Sequence, residues 1–192
     1  MRRQSAFTLI ELMVGLAVVA VILVLAAPSF RDMILMQRLR GTSAQLVTDM
    51  QFARAEAVSR RTLLRISFRS NAAMNCYTIF TAPSNVTRCD CLLGAGVACP
   101  AGLTEVRTAE VPLSRSVKLA PPASQPNKAF AFDPTTGGIY TIPTDDASAP
   151  LNDFVVEAYI DNARKLHTVI NRAGRPSVCA PALSTMPETA CP

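Results

Sequence analysis

FTLIELMVGLAVVAVILVLAA, residues 7–27, is apolar throughout except for Thr8 and one acid, Glu11. At ~1.5 Å rise per residue, a helix over this run is long enough to cross the ~30 Å hydrocarbon core of a bilayer. The residues before it, Met1-Arg2-Arg3-Gln4-Ser5-Ala6, are basic and end in a small side chain. A secretory signal places its small-residue cleavage site after the apolar region, whereas here it stands before it. A cut after Ala6 leaves the apolar segment on the mature chain, with Phe7 as the new N-terminus. A carboxylate in hydrocarbon is costly, so Glu11 calls for a partner. Counted from a terminal amine at Phe7, Glu11 is close enough in sequence to neutralise such an amine on a parallel neighbouring helix. The plainer alternative, a signal anchor with a tolerated Glu, leaves the joint spacing of leader, cut site and acid unexplained. The expectation is a stem that sits first in lipid and later among like stems.

Pro28 ends the purely apolar run, and the pattern then turns amphipathic. Leu39, Leu46, Met50, Ala53 and Ala57 recur at helical spacing, with Val47 and Val58 widening the stripe and Arg38, Arg40, Arg54 and Arg60 falling largely off it. The reading is one long helix over residues 7–61, with its arginines on a solvated face. Residues 62–70 then alternate: Leu64, Ile66 and Phe68 on one face, Arg65, Ser67 and Arg69 on the other, as in a half-buried strand. Further strands are expected at 76–81, 104–111, 117–120, 128–132 and 138–142, with a turn at Asp133-Pro134-Thr135-Thr136-Gly137-Gly138. Phe154 to Ile160 and Arg164 to Ile170 form a hairpin across Asp161-Asn162-Ala163. The Pro-rich end of the chain is expected to be loop. The fold class is α+β, a long N-terminal helix packed on antiparallel β-sheet. The expected organisation is a leader (1–6), a transmembrane half-helix (7–28), an amphipathic half-helix (29–61) and a β-rich head (62–192). The head carries a cysteine loop (83–103) and a C-terminal tail (172–192).

The chain has 192 residues and a formal charge of +5, but that charge is unevenly placed. Residues 31–69 hold eight Arg against Asp32, Asp49 and Glu56, whereas residues 71–192 hold nine Lys/Arg against ten acids. The head is therefore not a basic protein as a whole. Its one basic segment is C-terminal: Arg164, Lys165, Arg172 and Arg175, with Glu188 the only acid in residues 162–192. Phosphate contacts are electrostatic and independent of sequence, so this segment is a candidate for DNA contact, set against a solvated basic rim. The six cysteines, Cys76, Cys89, Cys91, Cys99, Cys179 and Cys191, all follow the anchor. With Arg2 and Arg3 holding the leader in the cytoplasm, they face an oxidising compartment. Disulfides are expected over metal, since Cys89, Cys91 and Cys99 match no common zinc spacing and the one histidine, His167, is far away. Cys179 with Cys191 is the favoured pair, because both lie in a tail with no other means of ordering. The pairing among the other four stays open. His167 has no companion, and Asp133, Asp145 and Asp146 read as turn acids. No catalytic set and no cofactor site is visible, so a structural role is expected.

Ala6-Phe7-Thr8-Leu9-Ile10-Glu11 resembles the class III signal of type IV pilins and type II secretion pseudopilins, except that Ala6 stands where these have Gly. The resemblance implies cleavage before Phe7 and methylation of its amine by an inner-membrane prepilin peptidase, with Glu11 acting in assembly. Gln51-Phe52-Ala53-Arg54-Ala55-Glu56-Ala57-Val58-Ser59-Arg60, Phe132 with Gly137-Gly138, and Gly174-Arg175-Pro176 are similar to the GspH/FimT group. That group comprises pseudopilin H of type II secretion and the minor pilins FimT and FimU; the cysteine loop and tail look more like the latter. The resemblance implies a minor pilin near the tip of a pilus, anchored in the bacterial inner membrane with a periplasmic head before assembly. Its implied partners are major and minor pilins, prepilin peptidase, the inner-membrane assembly platform and membrane lipid; the alternative is a type II secretion pseudopilin. In DNA-binding FimT pilins of natural transformation a Gly-Arg-x-Arg motif meets double-stranded DNA. Here Gly174-Arg175-Pro176-Ser177 matches its first arginine and replaces the second with Ser177.

Overall fold

A computed structural model of the chain describes residues 8–81, 89–124, 128–140 and 153–191. The expected acids Asp145 and Asp146, and parts of the 83–103 loop and of the 138–142 strand, lie outside these residues. The chain divides into two compact units, Met1–Gln37 and Arg38–Pro192. Helix α1 (Leu9–Arg60) spans the boundary and is continuous through position 28.

In the first unit, every large apolar side chain from Leu9 to Leu25 is between 52 and 78% exposed. In the second, Leu39, Leu46, Met50, Ala53 and Ala57 are wholly buried, following the stripe read from the sequence. Val58 is exposed, so the stripe is narrower than expected. The helix ends in a Schellman arrangement: Thr62 N–H donates to Ala57 C=O (3.1 Å), and Arg61 N–H to Val58 C=O (3.3 Å), with Arg61 at φ 51°.

Sheet A has the order β3-β2-β1-β5-β6, and sheet B the order β4-β7-β8-β9. The strands of sheet A are β1 (Leu64–Ser70), β2 (Met74–Thr81), β3 (Thr104–Pro112), β5 (Ala129–Phe132) and β6 (Ile139–Tyr140). Those of sheet B are β4 (Lys118–Ala120), β7 (Asp153–Tyr159), β8 (Lys165–Asn171) and β9 (Pro176–Cys179). All pairings between these strands are antiparallel. Phe154 of β7 joins the two sheets, its ring 4.5 Å from that of Phe130 and 5.7 Å from that of Phe68. Such pairs add to the area term of core burial.

Two expectations about this core are corrected. Arg65 and Ser67 were placed on a solvated strand face, yet both are buried. Alternation in β1 correctly separates them from Ile66 and Phe68, but the cysteine loop covers Ser67, and Arg65 lies near Tyr140 of β6. Ser67 Oγ donates to Cys89 C=O at 3.2 Å. The Pro-rich end, expected as loop, contains strand β9, because Pro176 enters at the edge of sheet B where a missing N–H is tolerated.

Candidate functional site

At the N-terminus, Ala6 and Phe7 lie outside the described residues. Thr8 opens α1: its side-chain oxygen accepts from Glu11 N–H at 3.4 Å, and its carbonyl accepts from the same N–H at 3.1 Å. Thr8-Leu9-Ile10-Glu11 thus has the spacing of a capping box, a signal legible in the sequence that the assembly reading of Glu11 passed over. Glu11 sits in the first helical turn, where the helix dipole favours an anion.

All six cysteines are paired: Cys76 with Cys91, Cys89 with Cys99, and Cys179 with Cys191. The first bridge clamps the 89–99 segment to β2, and the second closes that segment on itself. Asp90 accepts from Leu92 N–H (3.0 Å), and Glu105 of β3 accepts from Gly96 N–H (2.9 Å) and Ala98 N–H (3.2 Å). Burial opposes ionisation of Glu105, but those two N–H groups and the Thr108 hydroxyl outweigh it and hold its carboxyl below the usual range.

Between helix and sheet, Asp49 of α1 is buried and accepts from Tyr77 Oη at 2.6 Å, while Arg107 Nε lies 3.1 Å from the same carboxylate. Burial first, and then the bond to Asp49, push the Tyr77 phenol well above its ordinary value.

The segments that carried the family resemblance meet at one junction. Arg54 Nε donates to Gly137 C=O at 3.0 Å, so Arg54 ties α1 to the β5–β6 turn. Arg40 likewise pairs with Glu188 of the tail at 2.8 Å. Neither belongs to a solvated face, which corrects the reading for these two, whereas Arg38 and Arg60 are exposed as read. Asp133 holds the β5–β6 turn by accepting from the hydroxyl and N–H of Thr135 and from Thr136 N–H, which bring its pKa to about 2. Gly174, at φ 75° in the β8–β9 turn, lies so close to this turn that a Cβ on it would be 2.0 Å from Gly137 O. Beside the junction, Gln51, Arg54 and Val58 of α1 face Thr135, Thr136 and Arg175 across an open groove of about 750 Å³.

The four basic residues of the C-terminal segment are not brought together. Arg164 and Lys165 lie at one end of β8, and Arg172 and Arg175 beyond the other, separated by a strand of roughly 20 Å at ~3.3 Å per residue. Arg164 is held by Asp161 through Nε (2.8 Å) and Nη2 (2.6 Å). Arg172 and Arg175 flank the β8–β9 turn, and among the described residues neither guanidinium has a hydrogen-bond or ion-pair partner. Ser177, in place of a second motif arginine, turns its hydroxyl to Val169 C=O at 3.4 Å. His167 faces Glu157 across the β7–β8 pair, with Nε2 at 3.1 Å from Oε1.

Residues 1–27 match the prokaryotic N-terminal methylation motif, and residues 42–174 match the family described as type II transport protein GspH. No curated protein and no solved structure matches the chain. The methylation motif covers the apolar stem, and the second match, more than half the chain, takes in both the α1 stripe from Leu46 to Ala57 and the Arg54–Gly137–Gly174 junction. The chain belongs to the GspH family of type IV pilin-like proteins.

Proposed function

We propose that this pilin-type subunit is a minor type IV pilin, anchored in the inner membrane with its head in the periplasm, cut before Phe7 and then drawn into a pilus near its tip. Its role in this reading is structural rather than catalytic. The observation that carries it is the stem: an apolar helix exposed on every side, with one acid in its first turn, joined to a disulfide-stapled head. Such a surface is stable in lipid or against other apolar stems, and Glu11 gives the exchange a fixed register through a neighbour's terminal amine. Its partners are prepilin peptidase, the assembly platform, and major and minor pilins. Mass spectrometry of the mature chain is expected to find methylated Phe7 at its N-terminus. Glu11→Ala is expected to be processed normally yet reach sheared fibres at about a tenth of the wild-type level, as for an interaction of ~1.4 kcal/mol. Equal recovery of the variant refutes the assembly role of Glu11.

A second reading, a pseudopilin of type II secretion, is supported by the family description itself. Deleting the protein decides between the two: retention of folded exoproteins in the periplasm favours secretion, and loss of surface fibres favours the pilus.

Double-stranded DNA as a ligand has one supporting observation, the guanidiniums of Arg172 and Arg175 at one turn, without a partner among the described residues. Two contacts give weak binding that a multivalent fibre would reinforce. In a titration of the detergent-solubilised chain against duplex DNA, Arg175→Ala is expected to lower the salt slope by about 1. An unchanged slope removes DNA from the list of partners.

A further inference from the structure

Two features of the head stand on opposite faces of sheet A, on the side where β3 forms its edge. The register pairs Cys76 of β2 with Glu110 of β3 and Tyr77 with Ala109, and side chains alternate along each strand. Cys76, bridged to Cys91, therefore carries the cysteine loop on one face, while Tyr77, bonded to Asp49, meets α1 on the other.

On the loop face, Leu93 and Val97 are 65 and 62% exposed. The backbone between them is tightly turned: Leu93 N–H donates to Asp90 C=O (3.1 Å), Gly94 N–H to Cys91 C=O (3.1 Å), and Val97 N–H to Gly94 C=O (3.4 Å). With the Cys76–Cys91 and Cys89–Cys99 bridges, these turns hold both side chains in place before any partner arrives. The charged groups beside the loop are Asp90 and Glu105, which accept from its N–H groups, and Glu110, whose carboxylate is 4.0 Å from where a Cβ on Gly94 would stand. Arg69, across Cys76 on β1, is the exposed cation of the same face. The result is a fixed apolar knob in an acidic surround.

On the helix face, a pocket of about 290 Å³ opens between α1 and the β3–β4 region. Tyr77, Val111, Val117 and Leu119, all buried, form its apolar floor, and the exposed Arg38 and Arg115 stand at its rim. Arg38 Nη1 donates to Arg115 C=O at 3.5 Å, and among the described residues neither guanidinium has an ion-pair partner. Glu110 borders this pocket too, so its lining sets two guanidiniums against one carboxylate. Gly41 of α1 also lines it, and nothing lies within 4 Å of where its Cβ would be.

We propose that this pocket receives Leu93 and Val97 from the cysteine loop of a second copy of this chain. The proposal rests on the assembly reading above for the nearness of copies, and it names the contact between their heads. Complementarity selects the occupant, since the knob is apolar like the floor and brings Asp90 and Glu105 to Arg38 and Arg115. A purely apolar partner would cover the two guanidiniums without supplying a counter-ion. A loop already fixed by two disulfides loses little freedom on docking. Knob and pocket are different patches on opposite faces of one sheet, so each copy offers the knob to one neighbour and the pocket to another. Such a contact runs head to tail from copy to copy.

The test places a benzophenone-bearing amino acid at position 93 of the full-length chain, in cells that assemble fibres. Irradiation is expected to give an adduct of twice the chain's mass, mapped to residues 38–45 or 108–119. Gly41→Leu plugs the pocket while improving the helix, and Arg115→Glu reverses the charge at the rim. Each is expected to leave the Tm of the detergent-solubilised chain at or above wild type and to lower the adduct yield about tenfold at equal membrane level. An adduct with a different protein, a self-adduct mapped elsewhere, or an undiminished yield in Arg115→Glu overturns the proposal. A chain present in fibres without the self-adduct sinks this contact and spares the assembly reading. A self-adduct formed in membranes by a chain missing from fibres does the reverse.

Discussion

Gly174→Ala is expected to destabilise the head by more than about 4 kcal/mol in urea or thermal unfolding, beyond the range of most single substitutions. Two effects add at this position. The backbone at φ 75° opposes any Cβ, at about 1–2 kcal/mol. The new carbon would also stand 2.0 Å from Gly137 O and 3.2 Å from Arg54 Cδ, so the β8–β9 turn must withdraw from the β5–β6 turn. That withdrawal endangers the hydrogen bond from Ile139 N–H to Arg172 C=O (3.1 Å), which links the two turns, and strains the Arg54–Gly137 bond (3.0 Å). Gly96→Ala is the control, because Gly96 has φ 84° but open space around its Cβ direction. It is expected to lose only the conformational part, about 1 kcal/mol. Similar losses for the two variants would show that the close approach at Gly174 contributes nothing.

Asp49→Ala is expected to destabilise by about 1–3 kcal/mol, the cost of leaving a buried hydroxyl without its acceptor. The carboxylate is buried under sheet A, where it is the acceptor for the Tyr77 hydroxyl and the counter-ion of Arg107. Arg107 is half-exposed and can turn to water once Asp49 is gone, but Tyr77 is buried and its hydroxyl is left without that acceptor. Tyr77→Phe removes the donor instead and is expected to lose about 1–2 kcal/mol, with the double variant less destabilised than the sum. The pair also sets a pH response. Because the folded state raises the Tyr77 pKa, it retains a proton that the unfolded chain releases near pH 10. Stability from this group is complete below that pH and falls as pH rises above it, and Tyr77→Phe should remove that part of the alkaline loss.

Much of the fold was legible where the signal is periodic. The α1 stripe from Leu39 to Ala57 needed only helical spacing, and β1 and the β7–β8 hairpin needed only alternation and a turn. What failed was the inference from polarity to exposure. Alternation tells which side chains share a face but not what covers it, so Arg65 and Ser67 were placed in solvent when both are buried, Ser67 beneath the cysteine loop. Two of the helix arginines failed for a related reason. Arg54 finds its acceptor 83 positions away and Arg40 its counter-ion 148 positions away, distances at which no local pattern carries information. The basic C-terminal residues form a cluster in sequence, yet an extended strand separates them into two pairs, one of whose members, Arg164, is already held by Asp161.

The sequence by itself determined the membrane-compatible stem, the long helix and its buried stripe, the α+β class and membership of the pilin-like family. Each depends on composition or on spacing along the chain, which backbone geometry converts directly into a face or a length. The tertiary structure alone decided which cysteines pair within the 76–99 region, which arginines are struts, why Gly137 and Gly174 must lack side chains, and that Leu93 and Val97 stand uncovered on the cysteine loop. Those are relations between segments distant in sequence, or between a side chain and whatever covers it, and only the packed chain brings the two partners within bonding distance.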